Sequence, residues 1–211
     1  MFAERLGRQL RKPTKGLWGW LAKQFFERNN AWLEEAAVGL CRIQPQSQVL
    51  ELGFGPGLGL RAAADRLPGP GGKLYGLDYS EYMHSVASRR LRTEILAGKV
   101  RLFLGSVDRI PLEDSQLDTV YHCNCYYFWP DLSAGSREIH RVMKPGALMV
   151  TTFYLKYLES FAASGFLPNT NWKPEQYMEA LRAAGFNDVR MEDRQHKGHT
   201  FQAIFAIANK P

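Results

Sequence analysis

The chain has 211 residues, of which 45% are hydrophobic and 12% aromatic, enough apolar material to bury one continuous core of ordinary size. Its 27 basic and 21 acidic residues leave a net charge of +6. Most of that excess sits in residues 1–28, where Arg5, Arg8, Arg11, Lys12, Lys15, Lys23 and Arg28 face only Glu4 and Glu27. A basic arm on a nearly neutral body argues against a globally nucleic-acid-coating protein. It fits a lid, a clamp for an anionic substrate or a targeting segment.

In chain order, Leu17 to Leu40 carries apolar residues at near-helical spacing, interrupted by Asn29 and Asn30, and predicts one long or two short helices. Trp20, Leu21, Phe25, Trp32 and Leu33 are expected to pack in the core. From residue 48 short β-rich runs alternate with helical segments, the order that gives a parallel sheet covered on both faces. Gln48 to Leu52 predicts a strand and Leu58 to Arg66 a helix stopped by Pro68 and Gly69. Lys73 to Leu77 predicts a second strand ending in Asp78. Ser80 reads as the N-cap of a helix running through Ile95 and closed by Gly98.

Val100 to Leu104 and Leu117 to Asn124 predict strands three and four. Ser133 to Met143 predicts a helix, and Lys144, Pro145 and Gly146 form the turn into a fifth strand from Ala147 to Phe153. Lys156 to Lys173 is the least regular segment and is expected on a pocket rim. Pro174 opens a helix over Glu175 to Ala184 that ends at Gly185, and strands follow near Asp188 to Glu192 and Phe201 to Ala208. The expected fold is therefore α/β: a Rossmann-like three-layer sandwich around a mostly parallel seven-stranded sheet, with an antiparallel C-terminal strand. Residues 1–40 read as a basic arm with helices covering the site, and residues 41–211 as a single globular unit.

The most informative run is Val49-Leu50-Glu51-Leu52-Gly53-Phe54-Gly55-Pro56-Gly57, between a strand and a helix. Alternate glycines allow positive φ and close approach of backbone to a ligand at the carboxyl edge of a sheet. The dinucleotide fingerprint needs glycines at relative positions one, three and six. Counted from Gly53 the sixth position is Leu58, and from Gly55 it is Leu60. The Gly-Lys-Ser/Thr of a phosphate-binding loop is absent. Glu51 beside the glycines suits a ligand carrying an amine and a positive charge better than a pyrophosphate. Asp78, at the tip of the second strand, is placed to accept both hydroxyls of a ribose. Together these residues describe an adenosine-type pocket without a phosphate site.

On these residues the chain resembles the class I S-adenosylmethionine-dependent methyltransferases, whose first motif is an acid followed by Gly-x-Gly-x-Gly and whose second is the acid after strand two. Gly105-Ser106-Val107 with Ile110-Pro111, Leu117-Asp118-Thr119-Val120 and Val142-Met143-Lys144-Pro145-Gly146 resemble the family's later motifs. Within the family the chain looks most like the small-molecule branch that includes quinone-biosynthesis enzymes.

The resemblance implies that S-adenosylmethionine is the cofactor and S-adenosylhomocysteine the product. It implies that Gly53, Gly55 and Gly57 face the methionine part, that Glu51 holds the network at its amino group and that Asp78 binds the ribose. Tyr79 and Met83 would flank the adenine, with Ser106, Val107, Cys123 and Asn124 bordering the cofactor. Relatives often carry an acid where this chain has Ser106, whose hydroxyl still accepts a hydrogen bond.

Methyl transfer from a sulfonium is an in-line displacement, so the protein mainly aligns the acceptor and excludes water. A base is needed only for an acceptor protonated at neutral pH. His122, Tyr126 and Tyr127, at the carboxyl end of strand four, are the catalytic candidates. His122 also reads as a packed strand histidine. Strand alternation puts His122 and Asn124 on one face and Cys123 and Cys125 on the other.

Cys41, Cys123 and Cys125 have no zinc-site or disulfide-framework spacing, so no metal is expected and a reducing, cytoplasmic setting is. The Arg-rich, serine-free first 24 residues keep a mitochondrial transit peptide as an alternative. No run approaches the roughly 20 apolar residues of a membrane span. The expected partner is a small-molecule acceptor, with nucleic acid disfavoured. The alternatives are an RNA or protein methyltransferase docking through the basic arm, and a non-catalytic S-adenosylmethionine-binding module. Neither the acceptor atom nor the oligomeric state is written in the sequence.

Overall fold

The computed structural model describes residues 2–165, 167 and 171–210, with residues 2–6 described by backbone alone. Three helices lead, α1 (Phe2–Arg11), α2 (Leu17–Asn29) and α3 (Ala31–Leu40). They are followed by β1 (Gln48–Leu52), α4 (Leu58–Asp65), β2 (Lys73–Asp78), α5 (Glu81–Arg90), α6 (Arg92–Leu96), β3 (Val100–Leu104) and β4 (Leu117–Cys123). A 3-10 turn (Tyr126–Phe128) leads to α7 (Leu132–Val142), β5 (Met143–Phe153), α8 (Leu155–Ala163), α9 (Pro174–Ala183), β6 (Phe186–His196) and β7 (His199–Ala208).

The seven strands lie in the order β3-β2-β1-β4-β5-β7-β6. The pairings from β3 through β5 are parallel, and β7 runs antiparallel between β5 and β6. This is the expected mostly parallel sheet with an antiparallel C-terminal strand, and β3 and β6 form its edges. Because β2 and β3 build outward from one side of β1 while β4 and β5 build from the other, the strand order reverses between β1 and β4. A crevice opens there at the strand ends.

Period-two alternation divides the core. Leu50, Leu52 and Val120 point to the layer that holds Ile139, Val142, Tyr177 and Leu181. Val49, Tyr121 and Cys123 point to the layer that holds Leu33, Ala37, Leu60 and Ala87. Each fully buried leucine contributes ~1.5–3 kcal/mol relative to exposure, so both layers are strongly fixed to the sheet.

Several expectations are corrected. The helix predicted from Ser80 through Ile95 is two helices, because Leu91 leaves helical geometry (φ −109°, ψ 22°) while its side chain is fully buried. The Lys144-Pro145-Gly146 turn is absorbed into β5, with Gly146 at φ 76° and a register irregularity opposite Leu117 and Thr119. Much of the segment expected to be irregular is α8, while residues 166 and 168–170 lie outside the described residues.

The core placement of Trp20, Leu21 and Phe25 also fails: they are 49%, 38% and 36% exposed, whereas Leu33 is buried. The cause is the inner face of α2, built from buried Gly19 and Ala22. A Cβ on Gly19 would lie 1.7 Å from the Thr14 carbonyl oxygen, so this face sits directly on backbone and the bulky residues turn outward. Among the described residues no helix is long and apolar enough to cross a membrane.

Candidate active site

A cavity of about 280 Å³ lies at the ends of the central strands. The loop after β1 forms its floor. Gly53, Gly55 and Gly57 have φ of 65°, 49° and 81°, the left-handed region that side chains disfavour. The three glycines divide the work. A Cβ on Gly53 would meet Cys125 Cβ at 2.9 Å and one on Gly57 would meet Ala87 Cβ at 3.0 Å, so these two allow the chain itself to pack. A Cβ on Gly55 would meet nothing within 4 Å, which leaves its open side to a ligand. Gly53 and Gly55 line the cavity. Gly57 does not, and serves instead as the left-handed N-cap of α4.

Asp78 closes β2 and borders the same cavity. Its Oδ2 accepts the Gly55 N–H at 2.9 Å and its Oδ1 accepts the Ser80 N–H at 2.8 Å, so one carboxylate ties the glycine loop to the α5 entry. Burial raises its pKa to about 6 against the opposing pull of these backbone donors. Two oxygens with two donors on them still have lone pairs to offer a ligand.

Behind the loop lies a pair of buried acids. Glu51 Oε2 accepts the Tyr121 hydroxyl at 2.8 Å, and Glu34 from α3 stands close enough to act on the charge of Glu51. Glu51 Oε1 and Glu34 Oε2 have no hydrogen-bond partner. Both oxygens crowd the open side of Gly59, at 2.5 and 2.7 Å from where its Cβ would stand. Burial lifts Glu34 to about 8, and burial together with Glu34 lifts Glu51. At neutral pH the pair therefore retains a proton. Glu34 lines the cavity and Glu51 does not. The sequence reading missed Glu34; its signal was an acid within the apolar stripe Leu33, Ala37 and Val38, on an otherwise buried helix face.

The other expected cofactor residues divide as follows. Tyr79, Met83, Ser106, Val107, Cys123 and Asn124 all line the cavity. The loop that carries Ser106 and Val107 is held by Arg141, which donates to the Ile110 and Leu112 carbonyls and to Glu138 and Asp114. Strand alternation breaks after Cys123, because Asn124 adopts φ 49°, and Cys123, Asn124 and Cys125 consequently all reach the cavity. Burial pushes both thiols upward, which keeps them protonated. No cluster of three or more metal-ligating side chains occurs among the described residues. Asp118, from the motif-like run on β4, lies at that strand's other end, where it takes the Gln48 N–H at 2.7 Å and Lys144 Nζ at 2.6 Å.

Of the catalytic candidates only Tyr127 lines the cavity. His122 is fully buried on the opposite side of β4. Its Nε2 is 2.8 Å from Tyr177 Oη and 2.7 Å from Thr151 Oγ1, and burial drops its pKa to about 3. Tyr126 stacks on Tyr177 with centroids 4.7 Å apart and donates its hydroxyl to the Trp172 carbonyl. His122 and Tyr126 thus support the wall rather than face a substrate. Replacing His122 by alanine is expected to cost stability, about 2–4 kcal/mol by analogy with other large-to-small core changes. The pH–rate profile should keep its inflections, and loss of one near neutrality would return His122 to the chemistry.

The basic arm closes over the cavity. Tyr79 donates its hydroxyl to the Arg11 carbonyl, Ser80 donates to the Pro13 carbonyl at 2.6 Å, and Lys12 lies over the Tyr79 ring. Leu10, Arg11 and Pro13 line the cavity as a result.

These features fit S-adenosylmethionine. The buried acid Glu34 on the cavity wall suits an amine, with Glu51 behind it, Asp78 suits a ribose, and the open side of Gly55 gives room for backbone approach.

Residues 50–151 match the family model described as a methyltransferase domain. The chain is 29% identical over 90% of its length, and 98% of the relative's, to the uncharacterized methyltransferase YdaC of Bacillus subtilis (strain 168). It is 31% identical to the demethylmenaquinone methyltransferase of Geobacillus kaustophilus (strain HTA426), over 79% of this chain and 82% of that one. Among solved structures, the geranyl diphosphate C-methyltransferase of Streptomyces coelicolor A3(2), complexed with Mg2+, geranyl diphosphate and S-adenosyl-L-homocysteine, superposes with a TM-score of 0.67 at 16% identity. That likeness covers 88% of this chain and 80% of that one and shows a common fold. With the glycine loop, Asp78 and the sheet order in place, the chain belongs to the class I S-adenosylmethionine-dependent methyltransferases.

Proposed function

We propose that the chain transfers a methyl group from S-adenosylmethionine to a small, apolar acceptor bound among the aromatic residues of the cavity. The observation that carries this reading is the lining beyond the cofactor cradle: Phe26, Tyr127, Phe128, Trp129, Tyr154 and Phe161. Such walls bury a planar or aliphatic molecule and exclude water around a displacement. The Geobacillus kaustophilus relative, named for demethylmenaquinone, supports an acceptor of this kind.

When bound, the cofactor supplies a methyl group already activated on a sulfonium. Asp78 would hold the ribose hydroxyls, and Glu34, with Glu51 behind it, would hold the amino group, whose positive charge favours the ionised form of the acid facing it. Tyr127, whose hydroxyl burial holds protonated, orients an acceptor oxygen by donating to it. Arg11, the one basic residue among the described lining residues, stabilises negative charge on that oxygen. Within residues 1–40, the stretch around Leu10 to Pro13 acts as a lid, through the contacts of Arg11 and Pro13 with Tyr79 and Ser80, while α3 packs in the core layer of the body.

Thermal-shift titration separates the cofactor classes, since a ligand specific to the native state raises the melting temperature by mass action. S-adenosylhomocysteine is expected to stabilise the chain and NAD to leave it unchanged. Incubation with S-adenosylmethionine and a panel of phenols and hydroquinones, read by mass spectrometry, should show one added methyl group. Turnover confined to polar amines or to RNA would overturn the acceptor class.

A further inference from the structure

We propose that the outward face of α2, with the basic residues around it, docks on an anionic lipid bilayer. Leu17, Trp20, Leu21 and Phe25 stand at positions i, i+3, i+4 and i+8 and therefore share one helix face. All four are exposed, Leu17 by 68%. Gly19 and Ala22 occupy the buried side of the same helix, so the apolar face is turned outward by the packing that seats α2.

Arg8, Lys12 and Lys15, also exposed, precede this stripe, and exposed Arg28 continues its line at the C-terminal turn. An aromatic and aliphatic face with cations at both ends is the arrangement that lies in a membrane interface, rings among the acyl chains and charges at the headgroups. Cationic residues near an anionic surface each add roughly fivefold to the partition.

Charge decides between a bilayer and a second copy of the chain. In a symmetric dimer through this stripe, the same cations would face one another. Anionic headgroups neutralise them instead. The face also meets the cavity: Phe25 and Tyr157 are both exposed and both line it, so the entrance opens on the patch. A membrane-dissolved acceptor then reaches the cavity without crossing water. That last step rests on the proposed methyl transfer, whereas docking does not.

The test is sedimentation of the full chain with vesicles. It is expected to pellet with phosphatidylglycerol–phosphatidylcholine vesicles, to stay in solution with phosphatidylcholine alone, and to be released by salt. Leu17→Ser/Trp20→Ser/Leu21→Ser should abolish pelleting, and Lys15→Ala/Arg28→Ala should weaken it roughly fivefold per removed cation. Each variant is verified as folded by its thermal shift with S-adenosylhomocysteine. Wild-type chain left in solution with anionic vesicles, or pelleting unchanged in the triple variant, overturns the proposal. So does a dimer that the triple variant converts to monomer without any vesicle binding. Loss of S-adenosylhomocysteine stabilisation in the wild type would count against methyl transfer and leave vesicle binding to be read separately.

Discussion

Asp78→Ala is expected to weaken S-adenosylmethionine binding roughly a hundredfold, the loss of about two charge-assisted hydrogen bonds. Two effects combine. The ribose loses its acceptor, and the Gly55 and Ser80 amides lose the carboxylate that fixes the loop against α5. Asp78→Asn keeps one acceptor and should lose less, which isothermal titration resolves. The same carboxyl imposes a pH dependence. Because it titrates at about 6, cofactor affinity should fall as pH drops from 7 to 5 and the neutral acid forms. Asp78→Asn should remove that component. A wild-type dissociation constant unchanged across this range would remove Asp78 from the ribose site.

The second large effect is a trade between stability and binding at the acid pair. Glu34→Gln removes a buried carboxyl that faces a like group, each of the two acids leaving one oxygen unpaired. The ligand-free protein is expected to gain about 1–3 kcal/mol, several degrees in melting temperature for a chain of this size. Cofactor affinity should drop roughly tenfold or more as the carboxyl that can ionise opposite the amino group is replaced by a neutral amide.

Glu34 holds its proton to about pH 8 when folded and to its ordinary value of 4.5 when unfolded. Between those values the folded chain binds more protons, so stability is fully present below about 4.5 and is lost as pH rises towards 8. The slope approaches ~1.4 kcal/mol per pH unit. Melting temperature measured from pH 5 to 8 should fall in the wild type and fall less steeply in Glu34→Gln, where Asp78 and Glu51 keep their share of the slope. A variant that melts lower and binds equally well would show that Glu34 is merely packing.

The part of this site that reads directly from sequence is the part written locally. An acid at 51 near the end of a strand, glycines at 53, 55 and 57, and an acid at the next strand end are constraints within one β-α-β unit, where spacing and backbone geometry coincide. Glu34 was hidden because its partner is on β1, 17 positions away, and only the docking of α3 brings the two together. His122 is the packed strand histidine that its position within β4 also allows, while Asn124 and Cys125 reach the cavity because the alternation breaks at Asn124. The aromatic residues of α2 misled for another reason: hydrophobic spacing marks a face, but two small residues opposite it decided which face was buried. The sheet, by contrast, follows from period-two runs and turn residues.

The outermost strand of the C-terminal half, β6, carries Arg190, Glu192 and Arg194 along one side of its edge. The acid is shared between the two arginines, and both guanidinium groups lie over the ring of Phe205, at 4.9 and 5.4 Å. An open row of backbone amides and carbonyls would otherwise invite another chain to continue the sheet. Here an arriving strand would have to displace ion pairs and strip water from three charges before gaining its first hydrogen bond. Charge along the open strand thus disfavours extension of the sheet past its C-terminal border.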